Sequence, residues 1–246
     1  GGAQEWSFSF GAMDVDEESY YGVNAFIRYY LEAVVNRGAL TSPVVAEKEL
    51  VVQLPPPEPT IPAQNPSLGF EVGVQDCVHI EMWFAHSHYP LDGIITGVIV
   101  FKLVRLNIVT MDVSLLRVES THGGLSQPHQ YMSTTVCVGE IQIMDGTPSR
   151  NESVPVRWSL KGYNLTPSRA RTRGKFTVRH VIKLTLTDEK GREYYKQSEV
   201  FLHRCNITGH EDSWFHESGV KRRWKDHDQR KPPQAPSLTD SLLGDW

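Results

Sequence analysis

The feature that most constrains this chain is strict alternation. Phe176, Val178, His180, Ile182, Leu184 and Leu186 alternate with Thr177, Arg179, Lys183 and Thr185. Side chains of an extended backbone point to opposite faces in turn, so a period of two buries one face and wets the other. The same period runs through Val78, Ile80, Met82 and Phe84, and through Val154, Val156, Trp158 and Leu160. Ile94 to Leu115 is rich in Ile, Val and Leu and reads as one long strand or a hairpin pair. Asp188-Glu189-Lys190-Gly191 reads as a turn between strands. Repeated short strands with turn residues between them predict an antiparallel β-sandwich.

Proline sets the next limit. Leu54 to Ile61 and Pro62 hold five prolines in nine residues. Proline fixes φ and lacks a backbone donor, so this run is neither helix nor ladder strand and reads as a stiff linker over 55–68. Before it, Trp6, Phe8 and Phe10 alternate with Ser7 and Ser9, and Ala25 to Val35 reads as a helix or a strand, with Phe26, Tyr29, Tyr30, Val34 and Val35 favouring a strand. Residues 1–54 supply only about four strands, half of a sandwich domain. A main block follows over 69–206. The 207–246 tail carries a basic cluster at Lys221 to Lys225 and reads as mostly disordered.

Composition excludes several classes. Of 246 residues, 39% are apolar and 22% charged, which suits a folded domain. A net charge of −4 argues against a general nucleic-acid binder. The best apolar stretch, Ile94 to Leu106, contains Lys102 and Arg105 and is too short to span a bilayer. Gly1 to Glu5 has neither the basic end nor the apolar core of a signal peptide. Three cysteines without a CxxC pair suit a reducing compartment better than a disulfide scaffold.

Catalytic chemistry finds little support. No phosphate loop, HExxH, GxSxG or GxGxxG occurs. His86 and His88 share a strand face but lack a visible third ligand, so a plain turn is the expectation. Cys77 with His79 is weighed as a nucleophile and base, against ordinary packing. No cofactor is expected. The best interaction candidate is the stretch from Met144 to Ser153. Asp145-Gly146 supplies a tight turn, Ile143 and Met144 offer two apolar anchors at its edge, and Arg150 and Glu152 offer a polar rim. The other reading is that Ile143 caps the core.

Several collinear motifs carry a resemblance. They are Glu18-Ser19-Tyr20-Tyr21-Gly22, Arg28-Tyr29-Tyr30-Leu31, Val72-Gly73-Val74-Gln75-Asp76-Cys77-Val78-His79-Ile80-Glu81, Ile143-Met144-Asp145-Gly146-Thr147-Pro148-Ser149-Arg150-Asn151-Glu152, Gly162-Tyr163-Asn164-Leu165-Thr166-Pro167 and Tyr194-Tyr195-Lys196-Gln197. Over residues 3 to 205 the chain resembles the arrestin-like retromer subunit family, vacuolar protein sorting-associated protein 26. The resemblance implies an all-β, arrestin-like fold of two antiparallel β-sandwich lobes, here with the first lobe truncated. It implies a non-catalytic coat subunit in endosomal cargo sorting, at the cytosolic face of endosomes, with indirect membrane association. Ile143 and Met144, with Asp145, Gly146, Arg150 and Glu152 around them, would dock on the long helical-solenoid subunit of retromer, the 35-type partner. Val72 and Tyr195 would match the groove where sorting nexins help to read the cytosolic tails of cargo. Tyr195 stands where Phe is common, and its hydroxyl needs a partner if buried. A related arrestin-like adaptor or a commander-type paralogue is the alternative. No Pro-Pro pair is followed by x-Tyr, which argues against adaptors that recruit ubiquitin ligases.

Overall fold

The computed structural model describes residues 5–205 apart from 12–13, 39–40, 55–64, 75, 123–130 and 173–174. The proline run over 55–62 and the charged tail therefore lie outside the described residues, and of the linker only residues 65–68 are described. The elements are all strands: β1 Tyr20–Tyr21, β2 Phe26–Ile27, β3 Tyr29–Val35, β4 Val44–Leu50, β5 Leu68–Val74, β6 Val78–Phe84, β7 His88–Pro90, β8 Ile94–Val104, β9 Ile108–His122, β10 Tyr131–Asp145, β11 Ser153–Ser159, β12 Arg169–Thr172, β13 Phe176–Asp188 and β14 Glu193–His203. The fold is all-β, as the alternation predicts, and no described helix is long and apolar enough to cross a membrane.

The chain divides into two compact units. The first includes the β3–β4 hairpin, paired from Tyr29 with Leu50 to Val35 with Val44. Ser19 exchanges backbone and side-chain hydrogen bonds with Val52 at 2.9 Å each, and Leu54 N–H donates to the Glu18 carboxylate at 2.9 Å. The strand expected over Trp6 to Phe10 is absent, and all three aromatics are exposed. Alternation makes a strand only where a neighbouring strand takes up its backbone groups, and none pairs with this segment among the described residues.

The second unit contains residues 21–25 and 55–205. One of its sheets runs β10-β9-β13-β14-β7, with β12 also on β13, and the other runs β11-β8-β6-β5. All pairs are antiparallel except β14 with the short β7. The core lies between the sheets. Ile80, Met82, Phe84, Ile99 and Phe101 come from one, and Met111, Val113, Leu115, Ile182, Leu184 and Val200 from the other. Each such side chain contributes about 1.5–3 kcal/mol relative to exposure. The inward row of β13 is the one read from its alternation, His180 included.

Ile94 to Leu115 is neither one strand nor a hairpin. It comprises β8 and the start of β9, which belong to different sheets and are joined through residues 105–107. Both runs are apolar because each lines the core from its own side. The expected turn after β13 is present: Gly191 has φ 73° and its N–H donates to the Asp188 carbonyl at 2.9 Å.

Candidate functional site

The loop leaving β10 is built from a bulge onward. Gln142 pairs with Asp112 and Met144 with Met111, so Ile143 is the extra residue without a partner across the ladder. A bulge breaks the alternation and re-aims the chain. Consecutive residues Ile143 and Met144 therefore both pack, half-buried, against the core. Met144 and Asp145 are still in strand, and Ser153 already opens β11, so the loop proper is 146–152, shorter than the sequence suggests.

That loop is pinned at both ends. Gly146 takes φ 104°, its N–H donates to the Val109 carbonyl at 2.7 Å, and the Thr147 hydroxyl donates to the Ile108 carbonyl at 2.9 Å. Pro148 is buried. On the far side Asn151 takes φ 62°, a left-handed conformation that Asn tolerates better than most residues. Its N–H donates to the Phe101 carbonyl at 2.6 Å, and Phe101 N–H donates back to the Glu152 carbonyl at 2.9 Å. The Glu152 carboxylate accepts the Ser149 N–H at 2.7 Å, so it orders the loop from within. Asp145 and Arg150 are exposed. The result is a hydrogen-bonded loop that joins a strand of one sheet to a strand of the other, with an apolar base and exposed charged residues.

Val72 and Tyr195 stand on strands of opposite sheets. Among the described residues β5 pairs only with β6, and β7 covers β14 only from Phe201 to His203. Both strands thus offer backbone groups along one side. Val72 is buried, whereas Tyr195 is 61% exposed on the outer face. The Lys183 ammonium lies 4.7 Å from its ring centre. A cation over an aromatic face is attracted to its quadrupole. The hydroxyl concern for a buried tyrosine therefore does not arise. Val72 faces the core and Tyr195 faces outward, so the two are brought to neighbouring strands but their side chains serve different faces.

Cys77 lies in the turn before β6, and His79 on the outer face of that strand turns toward Glu71. His88 Nδ1 is 2.9 Å from the Ser87 hydroxyl, and burial lowers the pKa of its ring. The Cys205 thiol is pushed up to about 11 by burial and by the Asp92 carboxylate, which disfavours the nucleophilic thiolate. His180, a polar member of the inward row, sits 2.9 Å from the Ser168 hydroxyl, which in turn accepts the Leu202 N–H at 3.0 Å. Burial, then the charge of Arg117, lowers the His180 pKa to about 4. His180 is fully buried and Ser168 partly so, and the pair ties β14 to the 160–168 connection. Only its position in the alternating row signalled it.

A family model described as vacuolar protein sorting-associated protein 26 matches residues 2–191. Vacuolar protein sorting-associated protein 26B of Arabidopsis thaliana is 40% identical over 199 residues, covering 81% of this chain and 63% of the relative. The 26B protein of Homo sapiens is 39% identical over 202 residues, covering 82% of this chain and 57% of the relative. A 26B-like protein of Danio rerio is 35% identical over 233 residues, 95% of this chain and 68% of that one. The chain thus spans 57% to 63% of the length of the first curated relatives it matches.

Proposed function

The chain belongs to the vacuolar protein sorting-associated protein 26 family, and on that premise we propose that it acts as a non-catalytic retromer coat subunit in endosomal cargo sorting. The observation that carries this reading is the pinned loop 146–152 with Ile143 and Met144 at its base. A docking surface needs apolar anchors on a frame that loses little entropy when bound. The bulge supplies the anchors, and the hydrogen bonds to Val109, Ile108 and Phe101 supply the frame. Its partner in this reading is the helical-solenoid, 35-type subunit, with Asp145, Gly146, Arg150 and Glu152 shaping the polar surround.

In the same reading the edges of β5 and β14 near Val72 and Tyr195 take an extended cargo tail beside a sorting nexin. Exposed strand edges bind extended peptides through backbone hydrogen bonds and pockets for alternate side chains. The protein would sit peripherally on the cytosolic face of endosomes, held there by its partners.

Calorimetry of the chain with its own solenoid subunit tests the docking step. Ile143→Asp combined with Met144→Asn is expected to weaken binding by about 2 kcal/mol or more. Both side chains also touch the core, so Arg150→Ala, at an exposed position, is run beside the double variant and is expected to weaken binding without altering the thermal midpoint. A folded intact chain that fails to bind overturns the docking assignment.

A further inference from the structure

On the outer face of the β5–β6 pair, Glu71 stands directly opposite Glu81, and His79 stands two pairs further along, opposite Gly73 and next on the same face. Like charges directly opposed on an antiparallel pair are destabilising unless a cation lies between them. Three observations point to where that cation goes. One ligand atom from each of Glu71, His79 and Glu81 lies within 4.8 Å of the others. His79 Nε2 is 3.4 Å from a Glu71 carboxylate oxygen. That nitrogen is shut off from solvent and makes no hydrogen bond, although the ring is partly exposed. Gly73 places no side chain over the imidazole.

We infer that Glu71, His79 and Glu81 form a binding site for a first-row divalent cation of the zinc class. Donors about 2.0–2.1 Å from a tetrahedral metal lie about 3.4 Å apart, which is the separation seen between His79 and Glu71. Two carboxylates and one imidazole favour zinc or cobalt over calcium and magnesium, which take oxygen ligands alone. Three protein ligands leave a fourth position for water. The antiparallel pair fixes the three Cβ positions, so only the outer carbons of the glutamates need to move.

Lys102 is the competing cation. It is the unpaired residue of a bulge in β8, between Leu103 opposite His79 and Phe101 opposite Ile80, and its ammonium lies 3.4 Å from the Glu81 carboxylate. Its side chain is half-exposed and free to swing into water. In the metal-bound form Lys102 gives up Glu81 to the ion. The site is separate from the docking loop, and it lies on the outer face of β5, the strand whose edge the proposed function gives to a cargo tail.

The test is titration of the whole chain with Co2+, read by the visible absorption of a tetrahedral site, followed by displacement with Zn2+. The intact chain is expected to show that absorption and to lose it to Zn2+. His79→Gln and Glu71→Gln are each expected to weaken binding about tenfold or more, and Lys102→Met to tighten it. No absorption with the intact chain overturns the site. So does binding that neither variant alters, which would place the metal on other histidines. Should His79→Gln lose its fold by circular dichroism, Glu71→Gln decides, because that side chain stands mostly in solvent.

Discussion

The Glu119 carboxylate accepts the backbone N–H of Asn24, ninety-five positions away in sequence, and its other oxygen accepts that of Val23 at 3.1 Å. Asn24 adds a side-chain hydrogen bond to the Thr134 hydroxyl at 2.7 Å. Glu119 is 1% exposed, so residues 21–25 are held in the second unit by a buried charge. Removing the acceptor leaves two amides without their partner. Glu119→Ala is expected to cost about 3 kcal/mol in urea unfolding, and Glu119→Gln less, because the amide keeps one acceptor oxygen.

Gly97 on β8 has no room for a side chain. An added Cβ would lie 2.5 Å from the Trp83 carbonyl oxygen and 2.7 Å from a Phe84 ring carbon. The first contact is backbone and cannot turn aside. Gly139 is equally close to its neighbours, but those are ring atoms of Tyr163 and Trp158. Gly97→Ala is therefore expected to destabilise by about 2–3 kcal/mol and Gly139→Ala by about 1 kcal/mol. Thermal unfolding of the two variants side by side checks the order.

His180 makes stability depend on pH in one window. Its folded pKa is lowered to about 4, while an unfolded imidazole titrates near its ordinary value of 6.5. Below 6.5 the unfolded chain therefore binds a proton that the folded chain refuses. Stability falls as pH drops from 6.5 to about 4 and then levels off for this group, a loss of about 3 kcal/mol. A His180→Leu variant is expected to flatten that part of the profile measured by denaturant unfolding, whatever its stability at neutral pH.

Glu152 separates loop order from contact area. Its carboxylate holds the Ser149 N–H inside the turn, at an exposed position. Glu152→Ala is expected to leave global stability within about 0.5 kcal/mol. It is expected to weaken docking on the solenoid subunit by about 1 kcal/mol, because the looser loop must be ordered on binding. Paired calorimetry and thermal unfolding check both halves.

Much of the architecture was legible in the residues. The inward rows of β6, β11 and β13 follow from alternation, because a period of two is a local property of an extended chain. The turn at Asp188 to Gly191 follows from residue type in the same way. The motif runs marked the family, and family membership carried the expectation for Ile143 and Met144.

Only the tertiary structure decided the rest, since strand pairing and bulges depend on residues far apart in sequence. Alternation at Trp6 to Phe10 looks like a strand, but no neighbour takes up its backbone groups among the described residues. Ile94 to Leu115 looks continuous, yet the chain changes sheets at residues 105–107. Nothing local shows that Ile143 is left out of the ladder, because that is a count of residues against β9. The meeting of Glu71, His79 and Glu81 is likewise a matter of register, where a shift of one residue would send each side chain to the other face. The sequence determined which residues want to be buried and which segments extend. The packing of two sheets determined which neighbours they meet.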